Sequence, residues 1–244
     1  MALPRRFLSG SFFAVFCLLW ALFQAGGCCS VPEIIVLDDP LTPEEHNDLG
    51  VAYETEGKYD LAIKEYQKAL KKNPYLLVSK VNLGNAYARQ GQYQKAVSVY
   101  EDAVKRQTEV VPELWNNLAW VYYKLGEKTT KAEQLCREAI EADPLNRYLY
   151  WDTLGEVLTA RGKTHEAIEA FRSSIITTPK GDDKTLIRTY IHMAKAYCAA
   201  GLKGEAEESI NTALSYGPSE AVKEELDALL ADIRQACPYD LPAK

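Results

Sequence analysis

Leu49-Gly50 with Tyr53, and then Ala62, Tyr66 and Ala69, return as Leu83-Gly84 with Tyr87, and then Ala96, Tyr100 and Ala103, at a constant spacing of 34 residues. A period of this length, with small and aromatic residues in fixed order, is the mark of stacked helical hairpins. A hairpin of this size cannot bury its own apolar face, so its stability must come from neighbours. A chain built this way offers an extended surface before it offers a reaction centre.

The bulk properties agree with that reading. The 244 residues are 47% hydrophobic and 25% charged, a globular balance. The net charge is −6, and it becomes −8 if the first 27 residues, carrying Arg5 and Arg6, are removed. An acidic chain without a basic run lacks the electrostatic footprint of a nucleic-acid binder. No nucleic-acid partner is expected.

At the amino terminus, Arg5 and Arg6 precede an apolar stretch from Phe12 to Phe23, and Gln24-Ala25-Gly26-Gly27-Cys28 follows. A positive region, a brief apolar segment and small residues make a secretory signal. The stretch is short for a permanent crossing of a ~30 Å hydrocarbon core, although an uncleaved anchor is the alternative. Ala25-Gly26-Gly27-Cys28 resembles the bacterial lipobox, with Ala25 where Leu is usual. The resemblance implies removal of residues 1–27 and lipidation of Cys28. Cys29 is a second choice, and ordinary signal cleavage with two incidental cysteines stays open. Acyl burial at ~0.8 kcal/mol per CH₂ makes several chains an almost permanent anchor. Residues 28–42 then form a tether. With Cys29, not Asp, following the lipidated residue, the analogy implies the outer membrane, facing the periplasm.

The hairpins resemble tetratricopeptide repeats, a family with two antiparallel helices per unit. The first unit, residues 43–76, matches at Leu49, Gly50, Tyr53, Ala62, Tyr66, Ala69 and Pro74. The second, 77–110, has Thr108 where the closing proline belongs. The third, 112–146, carries Trp115, Leu118, Ala119 and Tyr122, and an extra residue in its turn shifts Ala132, Cys136, Ala139 and Pro144. The fourth, 148–181, holds Trp151, Leu154, Gly155, Ala167, Phe171 and Pro179. A divergent fifth, 187–220, follows the loop Lys180-Gly181-Asp182-Asp183. A capping helix over 219–236 would cover its exposed face, with Ser219 as N-cap. The implied fold is all-α: a superhelix (an α-solenoid) of about five hairpins plus a C-terminal cap.

No catalytic constellation, nucleotide fingerprint or Walker sequence is present. His46, His165 and His192 stand without metal-ligand spacing along the chain. His46 takes a packing position, Cys136 an aromatic one, and the scattered carboxylates read as solvated helix faces. Catalytic, cofactor-binding and metal-ligating residues are therefore expected to be absent. A bridge between Cys198 and Cys237 requires their Cα atoms within ~7 Å and is left open.

In the family, the first helix of each hairpin lines a concave groove. That resemblance implies a partner surface of Asn47, then Asn82, Asn85 and Arg89, then Asn116, Asn117, Trp120, Tyr123 and Lys124, then Asp152 and Glu156. Asn amides both donate to and accept from an extended backbone, and Trp120 and Tyr123 suit aromatic anchoring. Members that grip a terminal carboxylate carry cations where Val81, Leu149 and Thr153 stand here, which speaks against that mode. The chain thus resembles envelope lipoproteins that recruit peptidases, cell-wall enzymes or secretion and pilus components. Leu37-Asp38-Asp39-Pro40-Leu41 adds a weaker resemblance to repeat lipoproteins that accompany cysteine peptidases. The expected role is a membrane-tethered adaptor. The alternatives are a pilotin-like assembly factor for a pilus or secretion pore, and an enzyme with an unrecognised site.

Overall fold

The computed structural model describes residues 39–107 and 111–236. Residues 1–40 form a unit of their own, of which only Asp39 and Pro40 are described; Leu41 onward forms a second, described here. The signal segment, Cys28 and the tether to residue 38 lie outside the described residues, as do Thr108 and Cys237. No helix among the described residues is long and apolar enough to cross a membrane.

Every secondary-structure element among the described residues of the second unit is a helix. The first hairpin is α1 (Pro43–Thr55) and α2 (Tyr59–Lys72), the second α3 (Leu77–Arg89) and α4 (Tyr93–Lys105). The third is α5 (Pro112–Leu125) and α6 (Thr129–Ala142), the fourth α7 (Arg147–Ala160) and α8 (Thr164–Thr177). The fifth is α9 (Asp183–Ala199) and α10 (Lys203–Ser215), and α11 (Glu220–Ala236) packs on α10. Each second helix packs on the first helix of the next hairpin. Successive first helices also touch: α1 with α3, α3 with α5, α5 with α7, and α7 with α9. First helices are therefore the inner layer, and second helices the outer one.

Local chemistry sets the boundaries. Thr42 opens α1 with a reciprocal capping box: its hydroxyl accepts from the Glu45 amide at 3.1 Å, and its own amide donates to Glu45 Oε2 at 2.7 Å. Pro43 and Pro112 occupy first-turn positions, where the missing amide costs nothing. Pro74, Pro144, Pro179 and Pro218 follow the ends of α2, α6, α8 and α10, because proline cannot extend a helix.

The turn inside each hairpin repeats one bond. The second hairpin shows it: Gly91 takes φ 71°, and the Gln92 amide reaches back to the Tyr87 carbonyl at 2.9 Å. Only glycine enters that region at little cost. The extra residue of the third hairpin is accommodated by Lys128, the one non-glycine residue with positive φ (46°) among the described residues. Its ammonium is 2.6 Å from Glu101 and 4.9 Å from the Tyr122 ring centre, contacts that offset the strained backbone.

The core alternates small with large. A Cβ on Gly50, Gly84 or Gly155 would come within 2.4, 2.3 and 2.3 Å of Tyr66, Tyr100 and Phe171 respectively. Where the small position is Ala119 or Ala194, the large one shrinks to Cys136 or Ile210, and all four are fully buried. Buried tyrosines keep their hydroxyls bonded: Tyr66 to Glu54 at 2.9 Å and Tyr122 to Glu101 at 2.6 Å.

Several polar residues that read as surface are inside. Glu65, Glu133 and Asp152 are buried, which corrects the reading of the carboxylates as solvated faces. Each is taken out of water with cationic partners, as burial of a charge requires. Glu65 meets Lys68 and the fully buried His46, whose Nδ1 lies 2.7 Å away. Glu133 gathers Arg137, Arg161 and Lys163. Cys136 is buried and free, and burial pushes its thiol pKa far up. Cys198 is disulfide-bonded, and its partner lies outside the described residues.

Candidate functional site

The inner layer opens into a cavity of about 520 Å³ where α3, α5, α7 and α9 converge. Arg89, Asn116, Asn117, Trp120 and Lys124 form one side, and Asp152, Glu156, Leu149 and Thr153 another. Arg188 and His192 complete the lining from α9. A smaller hollow of about 360 Å³ shares Arg89, Asn117 and Trp120 and adds Asn85, Tyr100 and Glu113. The expected groove residues from Asn85 to Glu156 are thus gathered, Tyr123 excepted.

Three expected residues sit elsewhere. Asn47 is buried between the first two hairpins, where its Oδ1 accepts from the Ser79 hydroxyl and from Asn82 Nδ2, both at 3.0 Å. Asn47 and Asn82 therefore bond to each other rather than line the cavity. The same exchange recurs one hairpin on: Asn117 Nδ2 donates to Asn85 Oδ1 at 3.0 Å, and Tyr100 donates to the same oxygen at 2.5 Å. Tyr123 does not line the cavity; burial, and then the charge of Glu156, raise its pKa. Asn amides exchanged within the chain retain part of their bonding capacity, so the pair that lines the smaller hollow, Asn85 and Asn117, still offers groups to a ligand.

Trp120 is held upright. It meets Tyr93 edge to face at 5.9 Å, and the Lys124 ammonium lies 5.3 Å from its ring centre. Arg89 is paired to Glu54 at 3.0 Å. Lys124 forms no ion pair among the described residues.

The floor of the cavity is ionic. Asp152 is buried; its Oδ2 takes Arg188 Nε at 3.1 Å and its Oδ1 takes His192 Nδ1, also at 3.1 Å. Burial alone would raise the Asp152 pKa, but the hydrogen bond and charge of His192, with Arg188, outweigh it and hold the carboxyl low. A carboxylate only accepts, so His192 Nδ1 is the donor. His192 Nε2 faces Glu156 Oε1 at 3.7 Å. Burial would lower the His192 pKa, yet Asp152 and Glu156 raise it. Burial raises that of Glu156, and His192 offsets only part of this. Among the described residues, Asp152, Glu156 and His192 each present a ligand atom within 4.8 Å of the others. The absence of metal-ligand spacing along the chain is therefore not an absence in space. Asp152 and Glu156 lie one turn apart on α7, and His192 arrives from the next hairpin.

Arg188 and His192 lie outside the expected groove set, which ends with the fourth unit. Registering the fifth on Met193 and Ala194 places Arg188 and His192 at the second and sixth positions of the repeat. The loop at 180–183 obscures that register.

Two family models, both described as tetratricopeptide repeat, match residues 44–109 and 81–147. No curated protein matches the chain. Among solved structures, one chain of the APC/C hetero-tetramer Cut9–Hcn1 is similar at TM-score 0.68 and 15% identity. That match covers 91% of this chain and 39% of the other, so this chain spans about two fifths of that relative. MamA is similar at TM-score 0.56 and 26% identity over 75% of this chain and 95% of its own. PilW, described as a widely conserved type IV pilus biogenesis factor, gives TM-score 0.68 and 18% identity over 79% and 86%. At 15% and 18%, the first and third likenesses concern the fold alone.

Proposed function

The chain is a tetratricopeptide-repeat protein, a scaffold for protein–protein interaction, and from that premise we propose that it is an adaptor tethered to a bacterial envelope membrane. Its partner is held as an extended segment along the inner layer. The observation that carries this reading is the cavity of about 520 Å³ between α3, α5, α7 and α9. It falls within the ~300–1,000 Å³ typical of ligand sites and suits side chains of a segment, not a folded domain. Trp120, gripped by Tyr93 and Lys124, supplies a rigid aromatic anchor. Asn117 and Asn116 supply amides for a backbone. Lys124 leaves a cation for an acidic group on the partner.

Tethering rests on Ala25-Gly26-Gly27-Cys28 and the secretory features before it, with Cys28 the lipidated residue and the outer membrane's periplasmic face the destination. In this reading recognition, not catalysis, is the activity. Partners of the expected kind are an envelope peptidase, a cell-wall enzyme, or a secretion or pilus component.

A photo-crosslinker placed at Asn117 in whole cells, with a control at Gln134 on outer helix α6, tests this. Capture of one envelope protein from the inner position only is the expected result. A captured pilus or secretion-pore subunit would assign the chain to pore assembly. Equal capture from both faces would reject the groove.

A further inference from the structure

We propose that Asp152, Glu156 and His192 form a binding site for a divalent first-row transition ion of the Zn²⁺ class. The site stands independently of partner capture, since it needs only side chains of α7 and α9.

The donor set fits such an ion. Two carboxylates and one imidazole suit Zn²⁺ and its first-row neighbours, whereas Mg²⁺ and Ca²⁺ prefer oxygen alone. With bonds of about 2.0–2.2 Å and tetrahedral angles, an ion holds its donors roughly 3.3–3.6 Å apart. The three ligand atoms lie within 4.8 Å of one another, and His192 Nε2 is 3.7 Å from Glu156 Oε1. At an ion one imidazole nitrogen must serve both carboxylates, so His192 gives up its Nδ1 bond to Asp152 and its ring turns. Without an ion, the imidazole bridges the two carboxylates, with Nδ1 donating to Asp152 at 3.1 Å and Nε2 facing Glu156.

Asp152 also has an outer partner of the kind that orients a ligand. Arg188 engages Asp152 through Oδ2 and leaves Oδ1 toward the imidazole. A separate observation concerns Asn116, which lines the same cavity. Its Oδ1 is shut off from solvent and has no hydrogen-bond partner among the described residues. It is a further oxygen donor in the cavity lining. Three protein ligands leave a coordination position open to the cavity, the arrangement that admits water or a ligand oxygen.

Titrating the full-length protein with Co²⁺, followed by visible absorption and by quenching of tryptophan emission, tests the assignment. One saturable equivalent that Zn²⁺ displaces is expected, weakened about tenfold or more in His192→Gln and in Glu156→Gln. Helical circular dichroism checks each variant. Should His192→Gln unfold, Glu156→Gln decides, because it keeps the shape of a cavity-lining side chain. Absence of saturable binding up to millimolar Co²⁺, or affinity unchanged in the folded variants, would overturn the site. Partner capture that persists without metal leaves this result readable on its own.

Discussion

Gly84 and Tyr100 stand so close that a single added carbon would put Cβ 2.3 Å from Tyr100 Cε1. Tyr100 is almost fully buried, and its hydroxyl is anchored on Asn85 at 2.5 Å. Neither side can yield cheaply. The α3–α4 crossing is therefore set by a missing side chain.

Gly84→Ala is accordingly expected to destabilise the protein by about 1–3 kcal/mol through overpacking. This overrides the ~1 kcal/mol that alanine normally gains over glycine inside a helix. Combining it with Tyr100→Cys, the pairing that Ala119 and Cys136 already use, should recover part of the loss. Denaturant unfolding of the two single variants and the double variant reads the coupling; strict additivity would refute the contact.

Asn47 is expected to act in stability, not in recognition. Its buried Oδ1 serves Ser79 and Asn82. Asn47→Ala leaves those donors unpaired, at a cost of about 1–3 kcal/mol. Thermal unfolding should shift down while capture by the folded fraction is unchanged. A stable variant that loses its partner would show the opposite assignment.

Acid should loosen the fold through Glu133. Burial would raise its pKa, but the bonds and charges of Arg137 and Lys163 outweigh this and hold it low. A carboxylate with a folded pKa below its unfolded value of ~4.3 stabilises fully above that value and stops doing so as pH falls through the folded one. Wild-type stability should thus drop more steeply below about pH 5 than that of Glu133→Gln. At neutral pH the variant should already be the weaker protein. Parallel pH profiles for the two would contradict the account.

Cys28→Ala should move the chain from the detergent-extracted membrane fraction to the soluble fraction, since the acyl chains are the proposed anchor. Unchanged fractionation would remove the lipid from the account. Transfer to soluble material with capture intact would separate tethering from recognition.

The hairpins were legible because their constraint is steric and local. Gly50, Gly84 and Gly155 sit a fixed distance before Tyr66, Tyr100 and Phe171, and that spacing is visible in one dimension. The inner surface was legible only in part. Asn85, Asn117, Trp120 and Asp152 carry a register that transfers between units, but the register does not say where an amide will bond. Asn47 looked like a groove residue and is spent on Ser79 and Asn82. The ionic floor was not legible, because Asp152 and His192 are 40 residues apart and meet only when the fourth and fifth hairpins stack. Glu133 likewise reads as surface until Arg161 arrives from the following helix.

The central claim is that the inner layer recognises a partner through Trp120. Pull-down by the Trp120→Ala variant, with far-ultraviolet circular dichroism on the same preparation, addresses it directly. Truncating an anchor of this kind costs about 2 kcal/mol or more of binding, so capture should fall at least about tenfold while the helical signal stays at the wild-type level. Capture at the wild-type level by the folded variant would contradict the account.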